Sequence, residues 1–285
     1  MNLAETIDGI IEQGKLSIKA NEGDYIGEDG LLYCGNCHTK KQTEVNIFGA
    51  VRRPMCLCKC MTEKRDAEEA AMKREEFERR TKEYRKTGFP ESDMQNWTFE
   101  NDDMANERIT KAMRNYVDNF AELKKHGKGL LLYGSIGKGK TYAACEVANA
   151  LIDKGYPVLV TNFARLTNTI QGKFEGKQEY IDSLNQFQLL VIDDLGAERK
   201  SEYMQEIVYN IIDSRYRAGL PFIITTNMTI EEIKTPTDIG NARIYDRIIE
   251  RCFPIEVNGK NRRRKKVIAE YDEMKKLLGL DEKEE

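Results

Sequence analysis

Beyond residue 127, short apolar runs alternate with longer segments in which apolar residues recur at helical spacing. The runs read GLLLY, PVLVT, QLLVID, PFIITT and FPIEV, and their length suits buried strands. Residues 201–218 lie between two of them and carry one apolar helical stripe. The stripe consists of Met204, Ile207, Val208, Ile211 and Ile212. This alternation predicts an α/β domain whose parallel sheet is covered on both faces. Thr229 and Glu232 form a capping box that predicts another helix start.

A different pattern precedes this domain. From Thr62 to about Lys86 the chain has no glycine or proline, and acidic and basic residues recur four apart, which predicts a long exposed helix. Its apolar stripe is thin, so we interpret it as a solvated linker, with a weak coiled coil or a handle for a partner as alternatives. We expect residues 1–61 to form a small module, 62–90 the charged linker helix, and 91–285 the α/β domain.

The front segment is rich in cysteine. Five of the seven cysteines lie there, as Cys34-x-x-Cys37 and Cys56-x-Cys58-x-Cys60. Clustered thiols in a reducing compartment are more often metal ligands than disulfides. We therefore predict a structural zinc site. Five thiols compete for four places, and we prefer the four that exclude Cys56, with Cys56 and His38 as substitutes; reduced free cysteines are the alternative.

Composition narrows the function classes. The chain has 285 residues, 33% of them charged, a mean hydropathy of -0.62 and a formal net charge of -3. A balanced charge argues against nucleic-acid binding over the whole surface but allows a local patch such as residues 262–266. The N-terminus shows no export signal and no membrane segment is visible, so we expect a cytoplasmic protein.

A phosphate-binding loop provides the main chemical signal. The motif GSIGKGKT, residues 134–141, follows the strand GLLLY and opens a helix, which is the setting that such a loop requires. Its backbone N–H groups and the helix N-terminus would hold phosphates. Lys140 would reach the β- and γ-phosphates, and Thr141 would bind Mg²⁺. The nucleotide-binding set is Gly134, Ser135, Ile136, Gly137, Lys138, Gly139, Lys140, Thr141 and Tyr142.

Polar residues end the third and fourth predicted strands, QLLVID and PFIITT. The run LLVI ends in Asp193 and Asp194, at the sheet edge where open α/β sheets bind ligands. We predict that Asp193 supports Mg²⁺ and that Asp194 polarises the attacking water, with Glu198 in reserve. Asn227 follows PFIITT and would orient the water or the γ-phosphate.

The ordered motifs of this chain resemble those of the AAA+ ATPases of the bacterial helicase-loader group, the DnaC and DnaI type. The IstB transposition ATPases are close cousins of that group. The motifs are GSIGKGKT, LLVIDDLG, FIITTN and ARIYDRIIERC followed by NGKNRRR. The resemblance covers roughly residues 96–266. It implies a five-stranded AAA+ core that hydrolyses ATP between adjacent subunits. It further implies that Arg247 is an arginine finger, with Arg243 as the alternative. Arg263 would be the sensor arginine, with Arg262 and Arg264 left open.

The resemblance also implies binding partners. Residues 95–99, which include Asn96, resemble the segment that cradles adenine. Residues 162–177 match a helical insertion that contacts single-stranded DNA, with Arg165, Lys173, Phe174 and Lys177 available. A zinc-binding front module contacts the replicative helicase in related loaders.

We therefore predict an ATP-dependent helicase loader that uses ATP, Mg²⁺ and Zn²⁺, self-associates, and binds a hexameric helicase and single-stranded DNA. An IstB-type transposition ATPase acting on double-stranded DNA is the alternative. A nucleotide-binding adaptor that scarcely hydrolyses ATP is a third reading, because Asp194 stands where many relatives carry Glu.

Overall fold

The computed structural model describes residues 20–173, 175–196, 201–259, 261, 271, 274–278 and 280. The chain divides into two compact units, residues 1–78 and residues 79–285. The predicted reserve carboxylate Glu198, the DNA contact Phe174 and the sensor candidates Arg262, Arg263 and Arg264 lie outside the described residues.

The first unit contains two short antiparallel hairpins. Strand β1 (Tyr25–Ile26) pairs with β2 (Leu32–Tyr33), and β3 (Val45–Ile47) pairs with β4 (Ala50–Arg52). Phe48 and Gly49 form the two-residue turn of the second hairpin, with φ angles of 51° and 82°. Two-residue hairpin turns with two positive φ angles favour Asn-Gly, so an aromatic side chain at the first place is strained. Phe48 is also 82% exposed, so burial of its ring in a core does not compensate for this strain.

A buried ion pair lies in the same unit. Lys41 Nζ is 2.5 Å from Asp24 Oδ2, and both side chains are almost fully buried. Asp24 also accepts hydrogen bonds from the backbone N–H groups of Asn21 and Gly35. The hydrogen bond from Lys41, with these backbone donors, lowers the pKa of Asp24 to about 2. Removing either partner would take away the opposite charge from a buried group, so we expect such a change to destabilise this small core.

Helix α1 (Lys59–Gly88) covers the segment predicted to be a long helix. Its surface is mostly exposed, and ion pairs four residues apart line it, such as Lys64 with Glu68 and Glu69 with Lys73. The helix begins three residues before the predicted start at Thr62, so Cys60 belongs to its first turn. The boundary between the two compact units falls inside this helix.

The second unit is built on a parallel five-stranded sheet in the order β6-β7-β8-β5-β9. The strands are β5 (Gly129–Tyr133), β6 (Val158–Asn162), β7 (Leu189–Leu195), β8 (Phe222–Thr226) and β9 (Cys252–Glu256). Each predicted apolar run forms one of them. The α/β fold with a five-stranded parallel sheet is therefore confirmed.

Helices cover both faces of this sheet. They are α2 (Glu107–Asp118), α3 (Phe120–Lys125), α4 (Lys140–Asp153), α5 (Phe163–Gln171), α6 (Lys177–Ser183), α7 (Glu202–Arg217), α8 (Ile230–Lys234) and α9 (Ile239–Arg251), with single 3₁₀ turns at Ser92–Asn96 and Leu184–Gln186. Leu130 and Leu132 belong to a buried cluster with α2 and α4, whereas Leu131 belongs to another with α5, α7 and α9. Side chains of a strand point alternately to opposite faces, so both faces of the sheet are buried.

Two local predictions in this unit are confirmed. The five residues of the predicted stripe on α7 are all buried. At the start of α8, the Thr229 side chain accepts from the Glu232 N–H and the Glu232 carboxylate accepts from the Thr229 N–H. This reciprocal capping box stabilises the helix start directly after the strand end that carries Asn227.

Candidate nucleotide site

The phosphate loop connects strand β5, which lies between β8 and β9 in the sheet, to helix α4. Its glycines have positive φ angles of 134° at Gly134, 78° at Gly137 and 94° at Gly139, which side chains rarely adopt. A Cβ atom at Gly134 would lie 2.8 Å from the Val257 carbonyl oxygen, so a side chain has no room there. The loop therefore holds a curled backbone against the end of β9, and the N-terminus of α4 points into it.

Lys140 is the first residue of α4 and is 6% exposed. Its ammonium group donates to the carbonyl oxygens of Gly134 at 2.7 Å and Ser135 at 3.0 Å, and to Asn227 Oδ1 at 2.7 Å. These acceptors are neutral, so a phosphate oxygen would bind the same cation more strongly. The structure thus brings the side chains of Lys140 and Asn227 into contact.

Asp193 lies at the end of β7, beside the phosphate loop. Its Oδ2 accepts from the Thr141 hydroxyl at 3.2 Å, and its Oδ1 accepts from the Thr225 hydroxyl at 2.5 Å. Burial raises the pKa of Asp193, although the two hydroxyls partly oppose this shift. A cation placed between Thr141 and Asp193 would favour the ionised carboxylate. The oxygen pair fits Mg²⁺, which prefers carboxylate, hydroxyl and water ligands.

Asp194 interrupts the regular pairing of β7 with β8. The register shifts between Ile192 and Leu195, and Asp194 has a φ of 57°, a left-handed conformation that is uncommon outside glycine. Its backbone N–H donates to the Thr225 hydroxyl at 3.0 Å, and its carboxylate is exposed. The irregularity turns the carboxylate out of the strand at the sheet edge. Such local strain is typical of functional sites.

Two positioning residues were missed by sequence reasoning. Thr225 bridges Asp193 and the Asp194 backbone from the neighbouring strand. Asn149 of α4 donates to the carbonyl oxygens of Met94 and Trp97 at 2.9 and 3.0 Å. Both residues act through long-range hydrogen bonds. Their position in the sequence, within an apolar strand and an apolar helix, gave only the weak signal of a polar residue at a buried place.

The predicted adenine segment lies against the start of α4. The rings of Trp97 and Tyr142 stack with centroids 5.6 Å apart, and the Tyr142 hydroxyl donates to the Thr98 carbonyl at 3.4 Å. Asn96 contributes its carbonyl oxygen, which accepts from Asn101. The segment after β9 closes the other side, where Asn261 donates to the Ile136 carbonyl. The loop and the segment predicted to hold adenine are therefore contiguous.

Arg247 and Arg243 differ in their surroundings on α9. Arg247 forms an ion pair with Asp213 of α7 at 2.8 Å and lies over the Tyr209 ring. Arg243 is exposed, and its guanidinium has no hydrogen-bond or ion-pair partner among the described residues. The predicted finger is thus held within its own subunit, whereas the alternative is free.

The predicted DNA-contacting region, residues 162–177, contains helix α5 and ends at the first residue of α6. Arg165 and Lys177 are exposed, and Lys173 is partly exposed. The ammonium of Lys173 lies 5.6 Å from the Tyr180 ring centre, and that of Lys177 lies 5.6 Å from the Tyr203 ring centre. The surface thus combines cations with aromatic rings.

Four thiols converge in the first unit. The sulfur atoms of Cys34, Cys37, Cys58 and Cys60 all lie within 4.8 Å of one another. The Cys34–Cys60 and Cys58–Cys60 sulfur separations are 3.7 and 3.4 Å. Sulfurs placed tetrahedrally about 2.3 Å from a zinc ion would be about 3.8 Å apart, so the cluster fits zinc. The Cys56 sulfur instead faces the Lys40 carbonyl, and His38 faces the Tyr25 hydroxyl.

The four thiols ionise unequally. A hydrogen bond from the Thr39 hydroxyl lowers the pKa of Cys37 to about 5, and backbone N–H groups of Cys37 and Asn36 lower that of Cys34. The pKa of Cys60 is raised to about 12 by hydrogen bonding with the neighbouring thiols. Adjacent thiolates repel one another, and a bound cation is what would let all four ionise together.

A family model matches the part of the chain that carries the candidate nucleotide site. The model of IstB-like ATP binding proteins matches residues 61–269. The chain belongs to this family. The match includes the phosphate loop, Asp193, Asn227 and helix α9, which are the elements described above. Membership of the IstB-like ATP binding family confirms the resemblance drawn from the ordered motifs.

Two curated relatives of this IstB-like chain are replicative helicase loaders. The chain is 30% identical to DnaI of Bacillus subtilis over 162 residues, which are 52% of this chain and 51% of that protein. It is 28% identical to DnaC of Escherichia coli K12 over 161 residues, or 54% of this chain and 63% of that one. The chain thus spans between half and two thirds of the length of these relatives.

A solved structure shares the fold of this IstB-like protein. A crystal structure of DnaI aligns with a TM-score of 0.52 and 27% identity, over 62% of this chain and 95% of that one. The AAA+ fold predicted from the motifs is therefore confirmed. Among the described residues, no helix is long and apolar enough to cross a membrane.

Proposed function

We propose that this protein is an ATP-dependent replicative helicase loader, which binds the helicase through its N-terminal region and single-stranded DNA through its ATPase domain. The observation that carries the proposal is the ordered site around Lys140, in a chain similar to two helicase loaders. The alternative is an IstB-type transposition ATPase acting on double-stranded DNA, because the matching family is that of IstB-like ATP binding proteins.

Each residue of the site has a distinct proposed task. Lys140 and the loop N–H groups bind the β- and γ-phosphates, and Thr141 with Asp193 holds Mg²⁺. Asp194 polarises the attacking water, and Asn227, which already contacts Lys140, orients the γ-phosphate. Mg²⁺ bound there would supply positive charge to stabilise the negative charge on the transferred phosphoryl group. The segment that includes Asn96 is proposed to enclose the base together with Tyr142, and the contact between the Trp97 and Tyr142 rings supports this role.

Hydrolysis is proposed to require a second subunit. The phosphate loop supplies no arginine, and a guanidinium from a neighbour would complete the neutralisation of the γ-phosphate in the transition state. Arg247 is the proposed finger and Arg243 its alternative, with Arg263 as the proposed sensor. ATP hydrolysis therefore becomes dependent on assembly. Self-association through the ATPase domain is a necessary part of the mechanism.

The DNA-binding surface is proposed to be the α5–α6 region. Lys173 and Lys177 lie beside Tyr180 and Tyr203, and Arg165 is exposed on the preceding helix. Cations that follow the phosphates and aromatic rings that stack on bases are the two elements that single-strand binding needs.

The first unit is proposed to be a zinc-stapled platform. Closed ligation by Cys34, Cys37, Cys58 and Cys60 leaves no position for a substrate, so zinc would stabilise the fold rather than take part in catalysis. We expect elemental analysis of the purified protein to find about one zinc per chain. Chelation is expected to destabilise the first unit under conditions in which the ATPase domain is still folded.

Cysteine variants make this zinc prediction specific. Cys60→Ser should lose the metal because it removes one of the converging sulfurs. Cys56→Ser is the matched control and should retain it, since the Cys56 sulfur faces a backbone carbonyl instead. Metal-free protein, obtained without any chelator during purification, would contradict the site.

Helicase binding is tested best at the exposed hairpin turn. Phe48→Asn is expected to weaken capture of the replicative helicase by about 30-fold, the loss typical of an aromatic anchor at an interface. Asn is the residue that this turn geometry favours, so the hairpin should be at least as stable as before. The measurement is co-purification and titration of the helicase with the full chain.

Phe48→Tyr is the control, because it keeps the ring and should keep binding. Undiminished capture by Phe48→Asn, with the variant folded, would remove the turn from the interface. If the parental protein does not bind the helicase but binds double-stranded DNA together with a transposase, the IstB-type alternative is correct.

A further inference from the structure

Arg247 is held tightly by its own subunit. Its Nη2 donates to Asp213 Oδ1 at 2.8 Å and to the Tyr209 hydroxyl at 2.9 Å, while Nη1 donates to the Arg243 carbonyl at 3.1 Å. The guanidinium lies 4.7 Å from the Tyr209 ring centre and 5.6 Å from that of Tyr216. The side chain is only 24% exposed. A guanidinium with these partners must leave them before it can contact a phosphate on another subunit.

Asp213 has a second cation available. Its Oδ2 accepts from Arg217 Nε at 2.9 Å, one turn along the same helix. The Asp213 side chain is 12% exposed, whereas that of Arg217 is 77% exposed. An almost buried carboxylate that lost its only partner would be costly. Because Arg217 remains when Arg247 leaves, Asp213 stays paired in both states.

These contacts suggest two positions for one side chain. In the docked position, Arg247 is paired with Asp213 and stacked on Tyr209. In the released position, the same guanidinium would pair with the γ-phosphate of a neighbouring subunit, an anion of higher charge. The exchange replaces one ion pair by another, so the free-energy difference is small enough for nucleotide and assembly to decide between them.

We propose that Asp213 is a latch, which holds Arg247 in the docked position in the unassembled subunit and yields it to the neighbour's nucleotide on assembly. The inference rests on the proposed role of Arg247 as the trans-acting arginine. As a consequence, Arg247 of the unassembled protein is not available to contact the nucleotide of another subunit. Opening this latch costs free energy, and this cost raises the protein concentration that is needed for assembly and hydrolysis.

Steady-state ATP hydrolysis measured against protein concentration tests the latch. Asp213→Asn keeps the shape of the side chain but removes its charge, so the midpoint concentration should fall, by about tenfold. Turnover per subunit at saturating protein concentration should stay within about twofold of parental, since the arginine itself is unchanged. The residue that contacts phosphate is not altered in this variant.

Arg217→Gln gives the matched test in the opposite direction. Removing the spare cation leaves Asp213 with Arg247 as its remaining arginine partner, so the latch should close more tightly and the midpoint should rise by about tenfold. Arg217 is exposed at the end of α7, so this variant should fold even if Asp213→Asn does not. Thermal melts of both variants identify any loss of folding.

The outcomes separate the latch from the finger itself. A lower midpoint protein concentration for Asp213→Asn and a higher one for Arg217→Gln would support the latch. Unchanged midpoints in the folded variants, or a fall in saturating turnover for Asp213→Asn, would overturn it, the latter because Asp213 would then orient the arginine productively. If Arg247→Ala retains full turnover at saturating protein concentration, the finger role fails, whatever the midpoints are.

Discussion

Replacing Lys140 with alanine is expected to lower ATP turnover by about 100- to 1000-fold, the range found when one charge-stabilising donor is removed from an active site. The reason is local: Lys140 is almost buried at the start of α4, between the loop carbonyls and Asn227. Alanine would remove the only side-chain cation that the first turn of α4 directs into the loop. The variant should bind nucleotide weakly or unproductively, and both turnover and binding of a fluorescent ATP analogue measure this.

Lys138 provides the control within the same loop. Its side chain is partly exposed and its ammonium donates to the Gly259 carbonyl rather than into the site, so only its backbone N–H remains as a predicted nucleotide contact. Lys138→Ala removes an equal charge but should leave turnover within a few-fold of parental. Parental turnover by Lys140→Ala would show that this loop is not the hydrolytic site.

The fold could be predicted from the sequence because its signals are local. Each parallel strand is buried on both faces, so runs such as LLVI and FIITT are apolar throughout and easy to recognise. The phosphate loop depends on glycines at fixed spacing, and their positive φ angles explain why no other residue would serve. The Thr229–Glu232 capping box is equally local, and its predicted geometry is the one observed.

The partners of the functional residues were harder to predict because they come from distant segments. Thr225 supports Asp193 from the neighbouring strand, and Asn149 ties α4 to the segment at Trp97. Neither contact leaves a periodic pattern in the sequence. Asp213 looked like one more polar residue on α7, yet it pairs with an arginine on α9. Long-range hydrogen bonds of this kind follow from the packing of elements and not from the residues next to them.

The thiol cluster could be predicted from the sequence only in part. Spacing alone predicted a metal site from Cys34, Cys37, Cys58 and Cys60, and it left Cys56 and His38 as substitutes. The structure brings the preferred four sulfurs together, because Cys60 lies in the first turn of helix α1 and the Cys56 sulfur faces the Lys40 carbonyl. Helix start and turn direction decide which thiol is left out, and neither can be read from the spacing of cysteines.

Arg247→Ala is expected to bind ATP through its own intact loop but to lose hydrolysis by about 1000-fold, the lower end of what a trans-acting arginine supplies. The charge of the guanidinium acts mainly in the transition state, so binding and turnover should separate. Nucleotide titration and steady-state hydrolysis, at protein concentrations where the parental chain is assembled, measure the two effects. Loss of the Asp213 pair is a second effect, and thermal melting of the variant controls for it.

Mixing variants decides whether the arginine acts between subunits. Lys140→Ala lacks a working loop but keeps Arg247, and Arg247→Ala keeps the loop, so interfaces between the two kinds of subunit should recover activity that neither has alone. The same mixture with Arg243→Ala is the critical comparison, because Arg243 is exposed one turn earlier on α9 without a partner in the described part of the chain. If only the Arg243→Ala mixture shows rescue and Arg247→Ala is active by itself, Arg243 is the finger. Arg247 then braces α9 against α7 through Asp213, and the latch fails with the role on which it depends.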